Sequence, residues 1–431
     1  RPIKKLLMMW KKMLDFSSCP TNGGKSFSGV TADKKFWSHL AMPIVNRIAE
    51  FEPELIEWRH HLHSFPELGF EEYKTSDFVV EKLSQMGLEV NRGLAGTGVV
   101  ATLTAGSGNG PKIGLRADMD ALPIMERSKS DHASKNPGVM HACGHDGHTT
   151  MLLGAAKYLA ETKNFDGTVQ FIFQPAEEGK GGGEKMIEDG LFDLFPVEEV
   201  YGMHNIPGIK VGEFAVGPGP IMAARDNFEV FVKGRGSHAA MPHQGVDPVV
   251  VGSHIVLALQ TITSRNIDPQ KSLVVSVTQF HAGEAFNIIP DEILLRGTCR
   301  VLDPEIQETL PERLRRIVDG VSSTFGAKAD LIYHKGYPAT VNAEQPSNFC
   351  AEVAREIAGS ADGVDLKPAP SMGAEDFSYM LQEKPGCYIW TGNGDTAGLH
   401  HPEYDFNDET IAVGASYWAR LVEKRLPKAS G

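Results

Sequence analysis

Apolar side chains recur along the chain at spacings that name the elements before any chemistry is considered. Over residues 44–63, Ile48, Phe51, Leu55, Trp58 and Leu62 fall at alternating steps of three and four, which puts them on one face of a helix. A second helix is predicted over 74–86, with Val79, Leu83 and Met86 on one side. Residues 99–104 and 112–117 read as strands, parted by the turn pair Gly110-Pro111. A helix over 148–162 carries Leu152, Ala155 and Leu159. A buried strand over 168–173 ends at Pro175, and a short strand follows at 200–203. Strand and helix alternate throughout this half. The predicted class is therefore α/β, with a mixed sheet between helices.

The rhythm changes near Ala224. Strand-like runs at 227–233, 272–280, 292–302 and 328–333 are interleaved with helical patterns at 248–264 and 305–322. The order β-α-β-β-α-β is the signature of a ferredoxin-like unit. Helical, strand-like and helical segments then follow at 345–359, 387–391 and 411–425. The expected organisation is a discontinuous larger domain, 42–224 and 336–431, with a lid domain inserted at 225–335. Residues 1–41, which hold eight Lys or Arg against Asp15 and Asp33, are expected to stand outside this fold.

Composition narrows the class. The chain has 431 residues, 41% hydrophobic and 23% charged, so wholesale disorder is excluded. A net charge of −13 argues against a nucleic-acid partner. No run of 18 apolar residues suggests a membrane span. Cysteines at 19, 143, 299, 350 and 387 are scattered and odd in number, which fits a reducing compartment, the cytosol, rather than a disulfide framework.

The densest polar cluster is H-A-C-G-H-D-G-H, 141–148, placed just before the helix at 148–162. Thiolate and imidazole suit zinc-like ions, although a His-rich surface loop is the alternative. Asp118 and Asp120 stand at the end of the strand 112–117, where like charges repel unless a cation or donors neutralise them. Glu177 and Glu178 follow the buried strand 168–173; one could bind metal while the other handles protons. His204 and the pair His400-His401 add imidazoles. With Cys143, His145 and Glu178 they supply N, S and O donors enough for two ions sharing a site. In the inserted unit, His238 follows a strand in G-S-H-A-A-M-P and is suited to donating to an oxyanion. Asn287 and Arg300 are candidates for binding a carboxylate.

Taken in order, R-A-D-M-D-A-L-P (116–123), H-A-C-G-H-D-G-H (141–148), Q-P-A-E-E-G (174–179), G-M-H-N (202–205), G-S-H-A-A-M-P (236–242), F-N-I-I-P (286–290), M-G-A-E-D-F (372–377) and H-H-P (400–402) closely resemble the metal-dependent aminoacylase and carboxypeptidase family. The nearest branch is similar to hippurate hydrolase and the plant indole-acetyl-amino-acid amidohydrolases. The resemblance runs from about residue 50 to 425. It implies two divalent ions per subunit, manganese or zinc, held by Cys143, His145, Glu178, His204 and His400. It implies Glu177 as catalytic base and Asp118 and Asp120 as carboxylates that orient the ligands. His238 resembles a lid histidine able to reach a neighbouring subunit's site, within a homodimer formed through the lid. The expected reaction is hydrolysis of an N-acyl amino acid to an acid and an amino acid. A dipeptidase or carboxypeptidase of the same fold, and a non-catalytic metal-binding homologue, are the rival readings.

Overall fold

The computed structural model describes residues 44–428; the expectation for residues 1–41 lies outside them. The first segment supplies helices α1 (Asn46–Ser64) and α2 (Tyr73–Gln85), strands β1 (Glu89–Leu94), β2 (Gly98–Ala105) and β3 (Lys112–Asp118), helix α3 (His145–Thr162), and strands β4 (Gly167–Gln174), β5 (Glu199–Ile206) and β6 (Phe214–Ala215). After an intervening unit come α6 (Glu344–Ala358), β11 (Val364–Asp365), α7 (Phe377–Glu383), β12 (Gly386–Gly392) and α8 (Glu409–Arg425). These two stretches share one mixed sheet in the order β1-β2-β4-β3-β5-β12-β6-β11. Strands β4, β3, β5 and β12 run parallel through its centre.

The central strands read as unbroken apolar runs because both faces are covered. Every residue of β4 and of β12 is buried. One face packs on α1, α2, α3, α6 and α8 through Leu55, Val79, Leu152, Val353 and Trp418. The other packs on α7 and the short helix Gly182–Glu188 through Ile172, Val200, Met186 and Phe377. Strand β1 escaped the hydrophobic pattern because it is an edge strand with mostly exposed side chains, so one face carries no apolar alternation.

Two boundaries differ from expectation in ways that matter for chemistry. Helix α3 begins at His145, not at 148. Gly144 turns the chain with φ near 92°, and the polar residues His145, Asp146 and His148 form the first helical turn. Apolar periodicity starts only at Met151, so it could not show that turn. Strand β5 continues to Ile206, which places His204 inside a buried strand rather than after one.

The intervening unit holds β7 (Ala224–Lys233), α4 (Pro248–Thr261), β8 (Leu273–Ala282), β9 (Glu292–Val301), α5 (Pro304–Thr324) and β10 (Lys328–His334). Its four strands form a separate antiparallel sheet, β8-β9-β7-β10. Alternate residues of β7 are buried, the signature of a sheet covered on one face. Helix α5 is strongly amphipathic and starts cleanly: Asp303 accepts the amide hydrogens of Glu305 and Ile306, with Pro304 at its first position. Phe228, Val230, Ile255, Leu259, Leu295, Leu310 and Leu314 make a hydrophobic cluster of their own.

That separate core has a testable consequence. Leu314→Ala should cost about 2–5 kcal/mol locally. By hydrogen exchange it should loosen β7–β10 while leaving β4 as protected as before. Equal loss of protection in β4 would show that the two cores unfold as one.

Candidate metal centre

Strands β3, β4 and β5 end side by side, and the residues that follow them meet the start of α3. Parallel sheets gather sites at such carboxyl ends. The hydrogen bonds there settle which nitrogen of each imidazole is free. His204 Nδ1 lies 2.7 Å from the carbonyl oxygen of Asn205. That oxygen can only accept, so Nδ1 carries the proton and Nε2 keeps its lone pair. This Nε2 sits 3.3 Å from Cys143 Sγ. His145 repeats the arrangement. Its Nδ1 donates to the carbonyl oxygen of Asp120 at 2.8 Å, and its Nε2 is buried with no hydrogen-bond partner.

Cys143 belongs to two groups of donor atoms, each gathered within 4.8 Å: one with His145 and His204, the other with Glu178 and His400. His400 Nε2 approaches Glu178 Oε1 to 3.2 Å, yet that oxygen has no hydrogen bond. Two triads joined at one sulfur, with their donor atoms gathered inward, match the needs of a pair of divalent ions. The donor set of imidazole, thiolate and carboxylate fits the group that the resemblance implies. All five sequence-proposed donors are therefore brought together by the fold.

Electrostatics point the same way. Burial, then Glu178, Glu177 and Asp118, push the Cys143 thiol well above its ordinary value. Burial, then Glu375, Glu178 and Asp376, push the Glu177 carboxyl well above the carboxylate range. Burial and neighbouring His148 hold His204 well below the usual histidine value, so it stays neutral. The upward shifts of Cys143 and Glu177 are those of buried acids crowded by other acids.

Two carboxylates hold the donors in place. Asp120 Oδ1 lies 3.2 Å from His145 Nδ1, and its Oδ2 accepts the amide hydrogen of Glu178 at 2.9 Å. Asp118 Oδ1 accepts from His148 Nδ1 at 2.6 Å and its Oδ2 from Arg116 Nη1 at 2.7 Å. Burial opposes the Asp118 charge, but His145, Arg116 and His148 hold its carboxyl well below the usual range. Backbone strain concentrates at the same place. Ala176 and His400 both adopt positive φ, 56° and 65°, the kind of conformation that only surrounding structure can enforce. Glu72 Oε1 accepts the Ala176 amide at 2.8 Å, and the His400 amide donates to Ala142 at 2.7 Å. At Gly182 and Gly147 an added Cβ would fall 1.7 Å from the Pro175 carbonyl oxygen and 2.2 Å from the Phe406 ring.

The remaining sequence-proposed residues divide. Arg300 lines the cavity together with Cys143, Glu177, Glu178, His204 and His400. His238 does not; it is exposed on the two-residue strand Ser237–His238, paired with Ile288–Ile289. Asn287 is exposed beside that pair and does not line the cavity either. Several residues escaped the sequence reading. His148 and Asn205 support Asp118 and the metal loop. Arg116 is fully buried and reaches Asp118, Glu375 and Asp376 at once. Arg225 and Tyr337 border the cavity from either crossing into the inserted unit. Arg116, Glu375 and Asp376 lie within the quoted motifs, but nothing local signals that they meet.

Behind the metal loop, Arg59 is wholly buried and pairs with Asp146 at 2.9 Å and with Asp408 at 2.9 Å. His63 Nδ1 lies 2.8 Å from the same Asp146 oxygen. Burial opposes the His63 charge, but Asp146 and Glu126 raise it to about 9. A raised histidine contributes stability that is complete below its unfolded value of about 6.5 and is lost as pH climbs through about 9. The margin by which His63→Leu is less stable than the natural protein should therefore shrink by about 3 kcal/mol between pH 6 and pH 10 in urea unfolding. An unchanged margin would mean that His63 is neutral in the fold. Arg59→Met strands Asp146 without its guanidinium and should cost about 3–5 kcal/mol; a loss below about 1 kcal/mol would contradict the pairing.

Comparison with known proteins agrees with the geometry. The chain is 42% identical to a hippurate hydrolase of Campylobacter jejuni over 89% of its own length and 100% of that protein. It is 40% identical to an N-acetyl-L-cysteine deacetylase of Bacillus subtilis, covering 88% and 89%. A crystal structure of the Bacillus subtilis YXEP protein, a dinuclear metal binding peptidase from the M20 family, superposes with a TM-score of 0.77 at 34% identity, covering 88% of this chain and 100% of that one. The model of peptidase family M20/M25/M40 matches residues 114–424, a span that takes in residues 141–148, Glu177, Glu178 and His400, and the chain belongs to that family.

Proposed function

We propose that the protein is a metal-dependent amidohydrolase that cleaves the amide bond of N-acyl amino acids, hippurate-like, to a carboxylic acid and a free amino acid. The observation that carries this reading is the meeting of two donor triads at Cys143 in a cavity that Glu177 also lines. The similarity to a hippurate hydrolase and an N-acetylcysteine deacetylase supports it. Cys143, His145, Glu178, His204 and His400 would hold two divalent ions, manganese or zinc. Such ions lower the pKa of water and polarise a carbonyl oxygen.

The chain's own residues do the rest. Glu177 is almost fully buried, and burial and Glu375 raise its carboxyl, the direction that suits a carboxylate to proton transfer. It takes a proton from the attacking water and delivers it to the leaving nitrogen. Tyr337 Oη donates to the Glu177 carbonyl at 2.7 Å, which fixes the turn that aims this carboxyl. Ile206, Met222, Trp390 and Leu399 give the cavity an apolar wall suited to the acyl group. Arg300, from the inserted unit, supplies positive charge in the same cavity for a carboxylate of the leaving amino acid.

The unit at 225–335 reads as a ferredoxin-like lid, supported by its strand order and separate core. His238 accepts the Ala240 amide at Nδ1, which leaves the proton on Nε2 for an oxyanion. Its exposure supports a role at a second subunit's site in a homodimer. Apolar Leu257, Phe280 and Ile288, exposed on the same unit, support such an interface. Among the described residues no helix is long and apolar enough to cross a membrane. Free thiols at Cys143, Cys299, Cys350 and Cys387 support a cytosolic setting.

Glu177→Gln should keep both ions by elemental analysis and lower kcat on benzoyl-glycine by about 10²–10⁴-fold; robust turnover in that variant would remove Glu177 as the base. Chelation should abolish hydrolysis, and added manganese or zinc should restore it. Hydrolysis of dipeptides in preference to acyl amino acids would favour the peptidase reading instead.

A further inference from the structure

The sheet of the inserted unit sets two arginines against each other. Arg225 on β7 and Arg300 on β9 are register partners across an antiparallel pair, and both line the cavity described above. Like charges directly opposite one another destabilise a sheet. Neither guanidinium has a carboxylate partner among the described residues. Arg225 lies over the ring of Tyr337, 4.6 Å from its centroid, and its Nη2 is 3.5 Å from the carbonyl oxygen of Gly179. Its Nε is buried without a hydrogen bond. Arg300 turns back along its own strand, donating through Nη1 to Thr298 Oγ1 and, at 2.9 Å, to the carbonyl oxygen of Cys299.

The two heads thus diverge from adjacent roots. Arg225 leans on the residue that follows Glu178, beside the catalytic turn. Arg300 lies further along β9. Burial and then Arg225 hold Arg300 below the ordinary arginine value, as expected of two cations that share a cavity wall. A single carboxylate would answer one guanidinium and leave the other without a counter-charge.

We propose that Arg225 and Arg300 form a seat for two carboxylates, so that the preferred substrates are N-acyl derivatives of acidic amino acids. Arg225 takes the α-carboxylate next to the amide, and Arg300 takes the distal carboxylate. This rests on the amidohydrolase reading and refines its substrate class. Each guanidinium can meet a carboxylate through two parallel hydrogen bonds, and the pair of negative charges removes the repulsion across the strands. Arg225 is thereby a specificity-determining residue alongside Arg300.

The test compares N-benzoyl-glutamate with N-benzoyl-glutamine, which match in shape and differ by one charge. With the metal-loaded natural protein, kcat/KM should favour the glutamate compound by about tenfold or more, chiefly through KM. Arg300→Met should bring the ratio to within about twofold of one, and Arg300→Lys should restore part of it. Arg225→Met should lower kcat/KM for both compounds by about tenfold or more. Calorimetric binding of the same two compounds to the metal-free protein gives a readout independent of turnover: the glutamate compound should bind more tightly, and Arg300→Met should erase the difference. Thermal melting of each variant controls for folding. A ratio near one in the natural protein, or an unaltered ratio in a folded Arg300→Met, overturns the seat. Turnover of both compounds without preference leaves the amidohydrolase reading standing and removes this inference. A calorimetric preference with no hydrolysis of any acyl amino acid does the reverse.

Discussion

Donor atoms crowded together in a partly buried cleft are the constraint around which the rest of this structure is arranged. Cys143, His145, Glu178, His204 and His400 present S, N and O donors to one another over a few ångströms. The hydrogen bonds on the far sides of His145 and His204 turn the Nε2 atoms towards the shared space. Glu177, Asp118 and Asp120 add further acid nearby. Carboxylates gathered this closely repel one another unless positive charge enters the group. Two divalent ions are the economical answer, and the proposed chemistry follows from their presence.

The surroundings are organised to hold this unfavourable set still. Asp120 connects the His145 ring to the Glu178 backbone. Arg116 neutralises part of the Asp118, Glu375 and Asp376 group from within the sheet. Arg59 and His63 do the same for Asp146 behind the metal loop. Strained backbone at Ala176 and His400 is fixed by Glu72 and by Ala142. Both crossings into the inserted unit also touch the turn at residues 177–181: Arg225 rests on Gly179, and Tyr337 bonds Glu177 and Gly181. The inserted unit is therefore tied by direct contact to the turn that carries the proposed base.

Much of this was legible in the sequence, for definable reasons. The central strands announce themselves because burial on both faces demands continuous apolar runs, and α1 and α5 because one buried face demands helical spacing. The donors are chemically distinctive residues in short motifs, so their convergence could be anticipated. What escaped depends on contacts between distant segments. Arg116 reads as an ordinary charged residue in a strand until Glu375 and Asp376 meet it. Arg225 has no motif, and its position opposite Arg300 exists only once β7 and β9 pair. The first turn of α3 is polar because it faces the site, so apolar periodicity placed the helix start three residues late. His238 and Asn287 were grouped with the site by motif, yet they stand away from the cavity of their own chain.

The most direct test of the central claim is a crystal structure measured at the absorption edges of manganese and zinc. Two anomalous peaks should lie on either side of Cys143 Sγ, each at about 2.0–2.3 Å from its protein ligands, one with His145 and His204, the other with Glu178 and His400. A single peak that leaves one triad empty, or metal bound elsewhere while these side chains move apart, would contradict the account.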